Sequence, residues 1–235
     1  MKRTSRILTR IAAGVGIATA AYAGWVGAAW FRYGRRGRLV GPRDRLLDDF
    51  MPEYDVVERH FAFVAASPEV TLLAAEETDL DASPLIRTIF RARAALLGAR
   101  PDDTPRARGL LAYTQSIGWG VLADLPGREI VMGAVTQPWM PSVVFRALPQ
   151  DAFRDFRDPG YVKIVWTLRA DPADAGHTVF RTETRAVATD PAARARFRWY
   201  WARFSPGIIL IRRLMLIQLR KEAERRATVV AAGTT

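Results

Sequence analysis

Residues 160–188 read GYVKIVWTLRADPADAGHTVFRTETRAVA, and this stretch decides the fold class. In 160–170 the apolar residues Val162, Ile164, Trp166 and Leu168 occupy alternate positions, the period that lines one face of a half-buried strand. Asp171–Gly176, with Pro172 and Gly176, reads as a turn. His177–Ala188 then alternates over twelve residues. Strands joined by so short a connection pair antiparallel.

Downstream, Asp190-Pro191 supplies an N-cap and a first-turn proline for a closing helix. Phe197, Trp201, Phe204, Ile208, Ile211 and Met215 recur every three or four residues and form one apolar stripe. Pro206-Gly207 falls inside that helix, so the sequence predicts a kink, or a restart capped by Ser205. Arg212, Arg213, Arg220, Lys221, Arg225 and Arg226 gather toward its C-terminal end, where cations suit the helix dipole.

Upstream, residues 54–65 (YDVVERHFAFVA) predict a first strand with Val57, Phe61 and Phe63 on one face and Glu58 and His60 on the other. Ser67-Pro68 and Ser83-Pro84 each pair an N-cap with a first-turn proline, so short helices follow over 68–79 and to about Leu97, with Ile86, Ile89, Phe90 and Leu97 toward the core. Residues 98–109, with Pro101, Asp102, Asp103, Thr104 and Pro105, read as a surface loop. Strands follow at 117–124, 128–137 and 142–147, then a polar helical turn at 151–158.

This order of elements is α+β and resembles the helix-grip fold, in which a curved antiparallel sheet surrounds a long C-terminal helix. The opening with Arg59-His60 and VAASPEV, together with PGREIVMGAV, DPGYVKIVWTLRA, TETRAVATDPAARARFRWYW and PGIILIRR, is similar to the SRPBCC superfamily of START lipid-transfer domains and polyketide cyclases, and looks like an uncharacterised bacterial, membrane-anchored subgroup of it. The resemblance covers roughly residues 50–227 and implies an apolar cavity between sheet and helix. Trp119, Met132, Trp139, Trp166, Phe180 and Trp201 are the lining residues it suggests, although each also serves as ordinary core.

The N-terminus adds a separate feature. Ile11–Phe31 holds 21 residues without a charge, enough to span a bilayer core, and Trp25, Trp30, Phe31 and Tyr33 cluster at its end as an interfacial belt would. Ala21-Tyr22-Ala23 would suit signal cleavage, but the apolar run continues past it, which favours an anchor. The expected organisation is a basic N-terminus (1–10), a transmembrane helix (11–31), a basic linker (32–49), one helix-grip domain (50–227) and a disordered tail (228–235). Four basic residues precede the span and six follow, which leans toward a cytoplasmic domain.

Charge supports the membrane reading over a nucleic-acid one. Of the net +11, residues 1–50 carry +7, beside the apolar segment where basic side chains attract anionic lipid. A nucleic-acid binder concentrates charge on its folded domain. The run Arg194–Arg203 (RARFRWYWAR) mixes arginine with aromatics, but helical spacing separates the two faces.

Familiar catalytic signatures are missing. The chain has no cysteine, two distant histidines, and no P-loop, G-x-S-x-G or complete dinucleotide motif, so no cofactor or metal site is expected. His60 reads as structural or exposed and His177 as a surface residue. The row Arg181, Glu183, Arg185 shares one strand face and reads as a solvated ion-pair ladder, which Arg59 could join; inside a cavity it would instead hold an anionic head group. Three functions therefore compete: a binding module for an apolar small molecule or lipid, a cyclase-like enzyme using Arg59, His60 and Glu183, and a membrane scaffold with an apolar patch on Ile208–Leu219.

Overall fold

The computed structural model describes residues 2–35, 44–99, 107–174 and 176–232. Its elements are α1 (Lys2–Arg32), α2 (Arg45–Phe50), β1 (Val56–Val64), α3 (Pro68–Glu76), a single 3-10 turn (Leu80–Ala82), α4 (Pro84–Leu96), α5 (Leu110–Ser116), β2 (Gly120–Leu125), β3 (Glu129–Thr136), β4 (Phe145–Arg146), α6 (Gln150–Asp155), β5 (Val162–Asp174), β6 (His177–Ala188) and α7 (Pro191–Ala232). The loop containing Pro101, Asp102, Asp103, Thr104 and Pro105 lies outside the described residues, as do 36–43 of the linker and the last three residues of the tail.

The six strands form one antiparallel sheet in the order β1-β6-β5-β3-β2, with β4 joined to β3. The hairpin read at 160–188 is its centre. Helices cover both faces: α3 and α7 pack on one, while α2 and α6 supply the opposite layer. The opposite-face core joins Leu47 and Phe50 of α2 and Phe153 of α6 to Val131, Val135 and Val165. Thus the end of the basic linker is domain structure; buried Asp44 caps α2 by accepting from the Leu47 N–H at 3.1 Å.

The helix starts follow their capping chemistry. Ser67 and Ser83 accept from Val70 and Ile86 N–H groups, and Asp190 Oδ1 accepts from Ala192 and Ala193 at 2.8 and 3.0 Å. Of the residues expected to face the core in α4, Ile86 alone is fully buried. The helix does not restart at Pro206. α7 runs unbroken through Pro206 for 42 residues, about 63 Å at helical rise, and Thr228–Ala232 of the expected tail are its last turn. Packing holds it through the proline: Ser205 is buried against α1, and Gly207 lies where an added Cβ would meet Ile89 of α4 at 3.0 Å.

The first strand presents its faces the other way from the sequence expectation. Phe61 and Phe63 are 64% and 67% exposed, whereas Glu58 and His60 share a face with Val56, Ala62 and Val64 toward α7. Register with β6 imposes this. Val56 pairs with Ala186 and Ala62 with Phe180, both core residues, so every second residue between them turns inward, polar or not.

Candidate functional site

The apolar helix α1 is joined to α7 rather than hanging from the domain. Tyr22 Oη donates to Arg203 O at 2.8 Å and Trp25 Nε1 to Ser205 Oγ at 3.2 Å. Arg198 sits 3.9 Å over the Trp30 ring and donates twice to Trp30 O, while Trp30 and Trp199 rings lie 4.4 Å apart. Tyr33 packs on Phe197, and Arg194 meets Asp55 at 2.7 Å. The contacts run in reverse chain order, so the two helices are antiparallel along this segment. The arginines of the RARFRWYWAR run are thereby partly spent on α1 and β1. The residues Ala12–Arg32 of α1 are long and apolar enough to cross a membrane, by length and composition.

On the sheet face that α7 covers, the core is divided. One packed cluster joins Val64, Leu72, Met132, Trp166, Leu168 and Phe180 to Met215 and Leu219 of α7. A smaller one joins Val56, Val162 and Ala186 to Phe197. Between them the α7 stripe is only half-buried: Phe197 and Met215 at its ends are closed off from solvent, while Trp201, Phe204, Ile208 and Ile211 are not. Ile164 on the sheet below and Ile89 on α4 are half-buried too. Arg93 of α4 ties this side together, donating to Tyr200 Oη and Pro138 O, each at 3.1 Å.

A polar group lies at the far end of this stretch. Arg212 donates from Nη2 to Thr184 Oγ1 at 3.0 Å, and its guanidinium lies 5.3 Å over the Trp166 ring. Burial lowers its pKa to about 10, so it stays cationic at neutral pH. Glu58 faces Thr184 across the β1–β6 ladder and His60 faces Thr182. His60 Nε2 and Thr182 Oγ1 are buried without a hydrogen-bond partner among the described residues. Burial, then the nearby Arg212 and Arg213, lowers the His60 pKa and disfavours the charged imidazolium. Burial raises Glu58, against the opposing pull of Arg213 and Arg32.

The row Arg181, Glu183, Arg185 is on the opposite face, as expected, but of the three only Arg181 stays partly solvated, while Glu183 and Arg185 are buried. Arg185 is 1% exposed: its guanidinium donates to Glu183 at 2.7 Å, to Asp48 at 2.6 Å and to Met51 O at 2.7 Å, and it lies over the Tyr54 ring. Arg59 closes the network by donating twice to Glu183, at 2.5 and 2.9 Å. Helix α2 with the following Met51 and Tyr54 covers Arg185, a cover that a linker over 32–49 does not provide. The cyclase-like trio is therefore split: His60 faces α7, while Arg59 and Glu183 bind each other across the sheet from it.

The six aromatic and methionine candidates also divide. Met132, Trp166 and Phe180 are inside the larger cluster, and Trp119 packs on its margin, 6.1 Å from the Trp166 ring. Trp139 and Trp201 flank the smaller cluster and remain half-buried. The hollows described are a void of about 10 Å³ beside α4 and α5 and an open groove of about 420 Å³ lined by Leu73, Glu76, Arg108, Leu111 and Gln115, neither of them between the sheet and α7. Sequence reasoning missed Arg212, Thr182 and Thr184; the one signal was Arg212 lying next to Ile211 on the edge of the apolar stripe.

No family model matches the chain, and no curated protein matches it. Among solved structures, a hypothetical protein from Helicobacter pylori is similar at 8% identity and a TM-score of 0.38, covering 80% of this chain and 99% of its own. A protein from Chromobacterium violaceum is similar at 14% identity and a TM-score of 0.30, over 72% and 96% of the two chains. The ZhuI aromatase/cyclase from Streptomyces sp. R1128 is similar at 14% identity and a TM-score of 0.25, over 73% and 94%.

Proposed function

We propose that the protein is a membrane-tethered module that binds an apolar small molecule or lipid between its sheet and α7. The observation that carries this reading is the divided core. An apolar stripe that is fully buried at Phe197 and Met215 and only partly buried between them leaves some of the surface of Trp201, Phe204, Ile208 and Ile211 within reach of a ligand. The same helix also holds α1, so a bilayer crossed by α1 would lie close to this stretch. A molecule leaving the membrane would meet apolar surface without a long passage through water.

The element order resembling the SRPBCC superfamily supports the reading. The split of Arg59 and Glu183 from His60 favours binding over cyclase-like catalysis. Native mass spectrometry of the full chain released from nanodiscs tests it. Retention of a lipid or added apolar compound as a one-to-one adduct, reduced by Ile208→Asp with folding intact, is the expected result. A chain that retains none, under conditions where a lipid-transfer protein does, overturns it.

A further inference from the structure

We infer that the occupant of this stretch carries an acidic head group, a carboxylate or a phosphate monoester, seated on Arg212. This rests on the binding reading above and names the chemical class that reading leaves open. Arg212 reaches the sheet from α7, and its single hydrogen bond to a described residue goes to the neutral Thr184 hydroxyl. A guanidinium carries five N–H donors in a planar fork. Among the described residues no carboxylate comes within ion-pair distance of it, whereas the arginines of the opposite face, Arg59, Arg169 and Arg185, each meet one. A half-buried charge left without a counter-charge costs folding energy, and an anion delivered by a ligand would return it.

The neighbouring side chains fit the same head group. Thr182 Oγ1 and His60 Nε2 are one ladder step from Thr184 and Glu58, both buried and without a hydrogen bond among the described residues. A hydroxyl donates to an anion, and an imidazole donates from whichever ring nitrogen holds its proton. Glu58 is the opposing feature on this face: its carboxylate is 3.9 Å from His60 Nε2, and it responds to Arg213 and Arg32 rather than to Arg212. Among the described residues the Arg212 charge therefore meets no counter-charge at ion-pair distance. The apolar stripe sets the orientation. Past Arg212 the packed cluster begins at Met215, so the head group lies at the closed end and the tail runs along Ile208, Phe204 and Trp201 toward the turns of α7 that hold α1.

The test uses the full chain in nanodiscs of uncharged phosphatidylcholine, challenged with palmitate, hexadecyl phosphate and methyl palmitate, with adducts counted by native mass spectrometry. The expected result is a preference of about tenfold for at least one acid over the ester, lost in Arg212→Gln and partly kept in Arg212→Lys. Which acid leads separates a carboxylate from a phosphate source. Equal uptake of acids and ester by the parent protein overturns this inference while leaving the binding reading intact. Uptake of none overturns both. A preference that survives in Arg212→Gln overturns the assignment of the seat. Should Arg212→Gln fail to fold, the parent comparison alone still decides for or against an acidic head group.

Discussion

Arg185 of β6 and Asp48 of α2 meet at 2.6 Å, and this contact fixes the short helix that follows the apolar segment onto the sheet. Arg185 is enclosed while Asp48 is one-third exposed, so the two sides of the pair are unequal. Arg185→Ala strips a buried network of its central cation and leaves Glu183 with Arg59 alone. It should cost about 3–5 kcal/mol in urea unfolding. Asp48→Ala should cost about 1 kcal/mol, because water replaces much of what it loses. Equal losses from the two would show that the network does not centre on Arg185.

Stability should also respond to the proton on Glu129. Burial, reinforced by the neighbouring Asp44, raises its pKa to about 7, although Thr167 and Arg169 contact it at 3.0 and 3.8 Å. The fold therefore holds this proton more tightly than the unfolded chain does. The stabilisation it provides is complete below the ordinary glutamate range and is lost as pH rises to about 7. Glu129→Gln mimics the protonated form. Its melting temperature should equal or trail the parent at pH 5 and exceed it at pH 8. Lys163, which burial lowers to about 8, changes equally in both proteins and cancels from the difference. A gap that does not change sign or widen with pH would contradict the assignment.

Much of the architecture was legible because local and global preferences agree. Residues 160–188 alternate cleanly on both strands, and Ser67, Ser83 and Asp190 stand where helix starts need acceptors. β1 was misjudged because its most apolar side chains, Phe61 and Phe63, face outward while Glu58 and His60 face α7. That choice is made by pairing with β6, which no local window contains. Helices α2 and α5 are too short to show a period, and α2 with Met51 and Tyr54 covers Arg185 of the Arg181–Glu183–Arg185 row. The candidate site was half legible. Its apolar stripe could be read from spacing, but the placement of Arg212 depends on which edge of that stripe meets the sheet.

The junction of α1 with the domain makes its own prediction. Trp30 packs on Trp199 and under Arg198, and its carbonyl accepts both guanidinium donors. Trp30→Ala should destabilise the domain by about 2 kcal/mol in nanodiscs, roughly half the cost of emptying a fully buried tryptophan site. It should also raise hydrogen exchange in the 194–205 segment of α7. Unchanged exchange there would mean that α1 and the domain move independently.

The middle of the α7 stripe is less completely buried than Phe197 and Met215 at its ends, and the chain's lack of cysteine makes that difference directly measurable. Single cysteines placed at Phe197, Ile208 and Met215 are labelled with a maleimide in the folded, nanodisc-held protein. Ile208→Cys should react at least about tenfold faster than the other two, in keeping with partial against complete burial, and palmitate or hexadecyl phosphate should slow it. Reaction at Ile208→Cys as slow as at Phe197→Cys and Met215→Cys would show a closed interior and contradict the proposed site.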